Sequence, residues 1–233
     1  MTVSTDILEK LFTAFSEFVA TMDKQPFTTF NASSLVDKTE NYKYSVYEEA
    51  RENLGNKWWR TEDIGTGKIQ QAVNAAIKTR VYHSFEMVDN NLVDWRKKDE
   101  FSKRAKSKNL ETIFFNFYKS KIKDSEAFNQ LVNEGLSYQF VAYLYFIKDS
   151  NRFLPISQER FDKIFQRIGL SHFETSGKVS WDNYTTFNDV IKQVRNFLRT
   201  KDINSTLLDA HSFLWILGNQ MEQSRFVSRI TPP

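Results

Sequence analysis

The spacing of the apolar residues constrains the fold of this chain more than any other feature. In residues 6–22, large apolar side chains recur every three or four positions, as they do on one face of an α-helix. These side chains are Ile7, Leu8, Leu11, Phe12, Phe15, Phe18, Val19 and Met22. Comparable stripes occur in residues 68–80, 110–122, 157–168 and 180–198. The spacing predicts a chain built mainly of helices.

The composition agrees with a helical fold. Only 7 glycines and 4 prolines occur in 233 residues, too few for the many turns of a sandwich or barrel. The 21 Phe, 9 Tyr and 5 Trp supply a core, because each ring buries a large area. We predict a mainly α multi-helix bundle. Residues 136–147 are apolar nearly all round and fit a buried helix or a buried strand; the lack of a convincing partner strand favours a helix.

The best candidate for a domain boundary is the segment DSNRFLPIS, residues 149–157, in which Pro155 and Ser157 introduce a new helix. It predicts two helical subdomains. Residues 1–150 would form an N-terminal helical domain that carries a basic segment, and residues 151–233 a C-terminal three-helix unit.

Residue usage excludes several classes of chemistry. Without cysteine the chain has no disulfide, thiolate nucleophile or iron–sulfur cluster. Its three histidines, His83, His172 and His211, form no zinc motif, so we predict neither a metal nor a cofactor. The N-terminus lacks the pattern of a signal peptide, and the longest apolar run is too short to cross a bilayer. We expect a cytoplasmic protein without a membrane partner.

The charge is unevenly distributed along the chain. Residues 78–123 contain 12 Lys/Arg and 6 Asp/Glu, a balance of +6, whereas the whole chain has a net charge of +3. Such asymmetry indicates a polyanionic partner. Seven side chains are predicted to share an exposed face that contacts DNA or RNA phosphates: Arg96, Lys97, Lys98, Lys103, Arg104, Lys106 and Lys108.

A simpler interpretation of the basic segment remains open. Its cations can pair with Asp99, Glu100 and Glu111 on a solvated helix face. The neighbouring rings of Phe114, Phe117 and Tyr118 have helical spacing, which favours a place in the core over stacking on bases.

The segment 64–69, IGTGKI, resembles a phosphate-binding loop only in part. It lacks the four residues between glycines and the Ser/Thr after lysine that a P-loop requires. Backbone N–H groups at a helix N-terminus can nevertheless hold a phosphate, so Gly65, Gly67 and Lys68 are a second candidate site. The alternative is a tight loop that leads into a helix.

Catalytic patterns are sparse. Arg167 and His172 have an R-x4-H spacing that resembles the active-site motif of HEPN-type ribonucleases. In that family the two residues are understood to polarise the scissile phosphate and the attacking 2′-hydroxyl. Ile168 and Gly169 depart from the family pattern. His211, close to Asp209, fits a buried core residue or an acid–base group. No restriction-type nuclease motif has the required spacing.

Three C-terminal segments, residues 153–170, 179–198 and 207–218, are similar to helical modules of bacterial restriction and phage-defence proteins. Some of those modules precede McrB-like motor domains. The resemblance implies an accessory or targeting role in a larger defence complex and transfers no catalytic residue. The expected function is therefore a non-catalytic nucleic-acid-binding or targeting module. The alternatives are a protein-interaction module, anchored by Trp58, Trp59 and Trp95, and a small HEPN-like ribonuclease.

Overall fold

The structure is a computed structural model and describes residues 1–177 and 179–221. It confirms the mainly α fold. In chain order the helices and strands are α1 Thr5–Asp23, α2 Ser34–Val36, α3 Tyr42–Leu54, α4 Lys68–Ile77, β1 Arg80–His83, β2 Glu86–Asp89, α5 Trp95–Ser102, α6 Lys108–Tyr118, α7 Asp124–Asn133, α8 Tyr138–Lys148, α9 Gln158–Arg167, α10 Trp181–Leu198 and α11 Leu207–Trp215. Short 3₁₀ turns cover Phe30–Ala32, Asn56–Trp58 and Thr61–Asp63, and π-helical turns cover Asp37–Asn41 and Ile216–Gln220.

The chain divides into two compact units, but it has two boundaries and only one of them lies near the predicted position. The central unit is Tyr42–Ile156, and the terminal unit combines Met1–Asn41 with the described residues from Ser157 onward. One boundary therefore lies six residues beyond the predicted one at 150/151. The first 41 residues join the C-terminal part because α1 packs against α10.

Helix α8 forms the core of the central unit and resolves the ambiguity of residues 136–147. Its side chains are buried on nearly every face, so no apolar stripe distinguishes helix from strand. The Ser137 hydroxyl caps the helix by accepting a hydrogen bond from the Phe140 N–H at 3.3 Å. The buried Tyr143 hydroxyl donates to the Ala76 carbonyl at 2.9 Å, and burial raises the pKa of Tyr143 well above its usual range.

Strands β1 and β2 form an antiparallel hairpin that the spacing of apolar residues did not predict. Tyr82 pairs with Met87, and His83 pairs with Glu86. The turn residues Ser84 and Phe85 both have positive φ values, 47° and 70°. A two-residue hairpin turn with positive φ normally uses Asn or Gly, so the usual sequence signal is missing here.

The terminal unit is held together by rings and by a buried carboxylate. Phe15 lies 5.0 Å from Phe213 between ring centroids, which joins α1 to α11. Asp162 on α9 accepts hydrogen bonds from the Thr175 N–H at 2.6 Å and the Ser176 N–H at 3.0 Å. This carboxylate therefore fixes the loop after α9 to the helix itself.

The close packing of Gly218 gives a first testable prediction. A β-carbon at Gly218 would lie 2.2 Å from Cγ1 and 2.6 Å from Cδ1 of the buried Ile164. Because overpacking a buried contact costs about 2 kcal/mol, we expect Gly218→Ala to lower the free energy of unfolding by about that amount. Gly177→Ala is the control, since its β-carbon would meet nothing closer than 3.9 Å. Equal stabilities of the two variants in urea denaturation would contradict this packing.

Candidate nucleic-acid interface

The seven predicted basic residues do not share one face of one helix. Helix α5 is short, because it begins after its cap residue Asp94 and ends at Ser102. Lys103 is the C-cap residue, Arg104 and Lys106 lie in the loop that follows, and Lys108 begins α6. The basic segment is therefore divided between two helices and a loop.

Most of the charges on and beside α5 have carboxylate partners. Lys97 pairs with Glu100 at 2.9 Å, and Lys103 pairs with Asp99 at 2.6 Å. Arg96 pairs with its cap residue Asp94 at 3.3 Å. The hydrogen bond from the Arg96 N–H is the main cause that lowers the pKa of Asp94. These exposed pairs neutralise α5 and favour the interpretation of a solvated helix face for this part of the segment.

Two of the seven cations are partly withdrawn from solvent. The Lys98 ammonium donates to the Asn90 carbonyl at 2.7 Å. Burial lowers the pKa of Lys98, and the nearby carboxylates of Asp89 and Asp94 oppose that shift. Arg104 donates to the Glu134 backbone carbonyl, and its guanidinium lies 3.6 Å from the Glu134 carboxylate. Both cations hold α5 and its loop in place.

Lys106 and Lys108 remain exposed and lie against the second candidate site. The aliphatic stem of Lys106 covers Gly67, where a β-carbon would approach it to 2.8 Å. The stem of Lys108 covers Gly65 in the same way, at 3.4 Å. The structure thus brings together residues of the two candidate sites that lie 39 and 43 positions apart in the sequence.

The loop that resembled a phosphate-binding loop already binds an internal anion. The carboxylate of Glu111, on α6, accepts hydrogen bonds from the N–H groups of Gly65 at 2.6 Å, Gly67 at 3.1 Å and Gln70 at 3.0 Å. Glu111 has no solvent exposure. These amides therefore satisfy a protein carboxylate, as expected for a helix N-terminus, and are not available to an external phosphate. Lys68 pairs with Asp63 at 3.0 Å.

Gln70 ties the same loop to the end of α5. Its side-chain amide donates to the carbonyls of Arg104 and Ala105, each at 3.2 Å, and its carbonyl accepts from the Ser107 N–H at 3.2 Å. Lys106 lies between these hydrogen-bonded backbone positions. The position of the Lys106 backbone is therefore fixed in the folded protein.

A cationic surface follows one side of α6. Lys108 and Lys119 are eleven positions apart, three helical turns, which places them on one face at a separation of about 16 Å. The Lys119 ammonium donates to the Lys57 carbonyl at 3.1 Å, so the turn Asn56–Trp58 lies beside the C-terminal end of α6. We define the α6 surface as Lys57, Trp58, Lys106, Lys108, Lys119 and Lys121. Within the described residues, none of its five lysines forms an ion pair.

Aromatic rings lie among these cations. Trp58 is 75% exposed, and the Lys57 ammonium lies 5.2 Å from its ring centroid. The neighbouring Trp59 packs edge-on against Tyr118, with 5.6 Å between ring centroids, which anchors the turn to α6. The Lys121 ammonium lies 4.6 Å from the ring of Phe115. The sequence did not identify Lys57, Lys119 or Lys121 as site residues, since their proximity depends on a contact between residues 62 positions apart.

The residues of the ribonuclease alternative lie in the terminal unit. Arg167 donates from Nη1 to the Leu217 carbonyl at 3.3 Å, and His172 is exposed in the turn after α9. His211 is buried, with its ring stacked on Trp215 at a centroid distance of 6.4 Å. Arg167 is thus engaged with the backbone, and His211 is surrounded by rings.

Comparisons with known proteins add no assignment: no family profile, curated protein or solved structure matches this chain. Across the part of the chain that the structure describes, no helix is long and apolar enough to span a membrane. Nor does any group of three His, Asp or Glu side chains in the described residues have an arrangement that could hold a metal ion.

Proposed function

We propose that this protein is a non-catalytic module that binds nucleic acid through the α6 surface. The observation that carries the proposal is a row of lysines beside an exposed tryptophan, none of which pairs with a carboxylate of the described residues. When lysines neutralise phosphates, the counterions condensed on the nucleic acid are released. This release gives most of the affinity of non-specific binding. The ion-paired α5 residues contribute less, because phosphates would have to displace their carboxylates.

The geometry favours a single strand over a duplex. An exposed tryptophan can stack on the face of an unpaired base. In a duplex the base faces are already stacked on one another, so no free face is offered to the ring. At about 3.4 Å per nucleotide, the 16 Å between Lys108 and Lys119 corresponds to about five stacked nucleotides. The central unit also carries the positive charge of the chain, with 19 Lys/Arg against 15 Asp/Glu in residues 42–156.

Trp58→Ala tests the role of the ring. Stacking on one base contributes about 1–3 kcal/mol, so we expect the variant to bind an unstructured decanucleotide about 5- to 150-fold more weakly in fluorescence anisotropy. Trp95→Ala is the matched control, because Trp95 is 70% exposed but begins α5. Duplex DNA, modified duplex DNA and single-stranded RNA should be compared, since the C-terminal segments resemble defence modules. Equal losses from Trp58→Ala and Trp95→Ala would contradict the assignment.

Protein binding is the second candidate, and the hairpin favours it. Phe85 is 94% exposed in a left-handed turn position that disfavours a large side chain, and Tyr82 and Met87 are also exposed. A large ring kept exposed at such a strained position favours contact with a partner over a role in the stability of the fold. A complex that survives high salt in gel filtration would favour this candidate, and a steeply salt-sensitive one would favour nucleic acid.

A further inference from the structure

An open cleft of about 640 Å³ lies where the chain leaves α6 and enters α7. Its charged lining comes from the loop before α7, from the first turn of α7 and from the end of α8 with the turn after it. The charged side chains are Lys121, Lys123, Asp124, Glu126, Lys148 and Arg152. Lys121 also belongs to the α6 surface, so the cleft continues that surface at its C-terminal end.

The cleft has more cations than its own carboxylates can neutralise. Asp124 pairs with both Lys148, at 2.8 Å, and Arg152, at 2.9 Å. Glu126 is the other carboxylate in the lining, and neither Lys121 nor Lys123 forms an ion pair within the described residues. Four cations therefore face two carboxylates, which leaves a local balance of +2.

Two of the four cations of the cleft pack against aromatic rings. The Lys148 ammonium lies 4.2 Å from the ring of Phe117, and the Arg152 guanidinium lies 4.6 Å from the ring of Phe153. Lys148 is 14% exposed at its side chain, whereas Arg152 is 55% exposed. Arg152 has five N–H donors, of which Asp124 takes only part, so it can also meet an anion from solvent.

We propose that this cleft binds a phosphate monoester, the terminal phosphate of a strand that lies on the α6 surface. The proposal rests on the function proposed above. A terminal phosphate carries a charge near −2 and three acceptor oxygens, which match the balance of +2, whereas an internal phosphodiester carries only one charge. The cleft begins where α6 ends, and a strand bound along α6 would place its terminus there.

Decanucleotides with and without a terminal phosphate test the proposal. We expect a phosphate at one of the two strand ends, 5′ or 3′, to tighten binding about tenfold in fluorescence anisotropy at 0.1 M salt. Lys123→Ala/Arg152→Ala should remove that preference and leave the affinity for the unphosphorylated strand within about threefold. Lys97→Ala/Lys103→Ala, on and beside α5, is the matched control and should keep the preference.

Two outcomes separate this inference from the function on which it rests. If the wild-type protein binds phosphorylated and unphosphorylated strands with equal affinity, the cleft proposal is overturned and the α6 surface stands. If no strand binds, the proposed function fails. Titration with inorganic phosphate then tests whether the cleft binds phosphate by itself. Shifts of the Lys121–Asp124 amides in nuclear magnetic resonance spectra would support it as a site for free phosphate, and unchanged spectra would overturn it.

Discussion

Glu111→Ala is expected to lower the free energy of unfolding by about 3 kcal/mol or more, a large fraction of the stability of an ordinary domain. The substitution removes the acceptor of three backbone N–H groups, those of Gly65, Gly67 and Gln70. Two of these hydrogen bonds are buried, so water cannot replace the lost acceptor without opening the structure. An unsatisfied buried donor costs about 1–3 kcal/mol.

Thr112→Ala is the matched control on the same helix, because the Thr112 hydroxyl donates an exposed hydrogen bond to the Lys108 carbonyl of its own helix. We expect that variant to stay within about 0.5 kcal/mol of the wild type. Amide hydrogen exchange adds a local measurement: Gly67 and Gln70 should be protected in the wild type and exchange rapidly in Glu111→Ala. Similar unfolding free energies for the two variants would show that the carboxylate is not the support of this loop.

Reversal of three charges on the α6 surface has the largest expected effect on binding. Lys106→Glu/Lys108→Glu/Lys119→Glu removes three phosphate contacts and adds repulsion. We expect an affinity for single-stranded nucleic acid about 100-fold lower at 0.1 M salt. The slope of log K against log salt should become shallower by about 2, as expected for the loss of three phosphate contacts on a single strand. These lysines form no ion pair in the described structure, so the substitutions leave no carboxylate without its partner. The hydrogen bond from Lys119 to the Lys57 carbonyl is lost but is exposed, so water can replace it and the fold should be retained, which circular dichroism checks.

A second triple variant controls for total charge. Lys10→Glu/Lys38→Glu/Lys163→Glu changes the net charge by the same amount, but its three exposed lysines lie in the terminal unit. We expect its affinity to fall by no more than about threefold, since none of these three lysines belongs to the α6 surface and no proposed phosphate contact is lost. Equal losses in the two triple variants would mean that net charge, and not the α6 surface, governs binding.

The helices could be predicted from the sequence because their signals are local. The stripe in residues 6–22 corresponds to α1, and the stripe in residues 180–198 corresponds to α10 with Ser180 as its cap. The hairpin could not be predicted in this way. Its turn uses Ser84 and Phe85, which lack the usual preference for positive φ, and its strands are only four residues long.

The sequence did not show which basic residues are held by other parts of the chain and which face solvent, because this depends on contacts between distant positions. The partner of Arg104 is Glu134, 30 positions away, and the neighbour of Lys119 is Lys57, 62 positions away. The interpretation of Glu111 as a partner of surface cations was wrong, because its carboxylate is buried and accepts backbone N–H groups. Glu111 lies three and seven positions before Phe114 and Tyr118, on the buried stripe of α6, and an acidic residue there requires buried donors.

The most direct test of the central claim is the affinity of the wild-type protein for single-stranded DNA and RNA decanucleotides across a salt series from 25 to 300 mM. With the five lysines of the α6 surface in contact with phosphates, we expect log K to fall linearly with log salt, with a slope of about −3.5. No binding at the lowest salt concentration, or binding whose affinity does not change with salt, would contradict a nucleic-acid interface on α6.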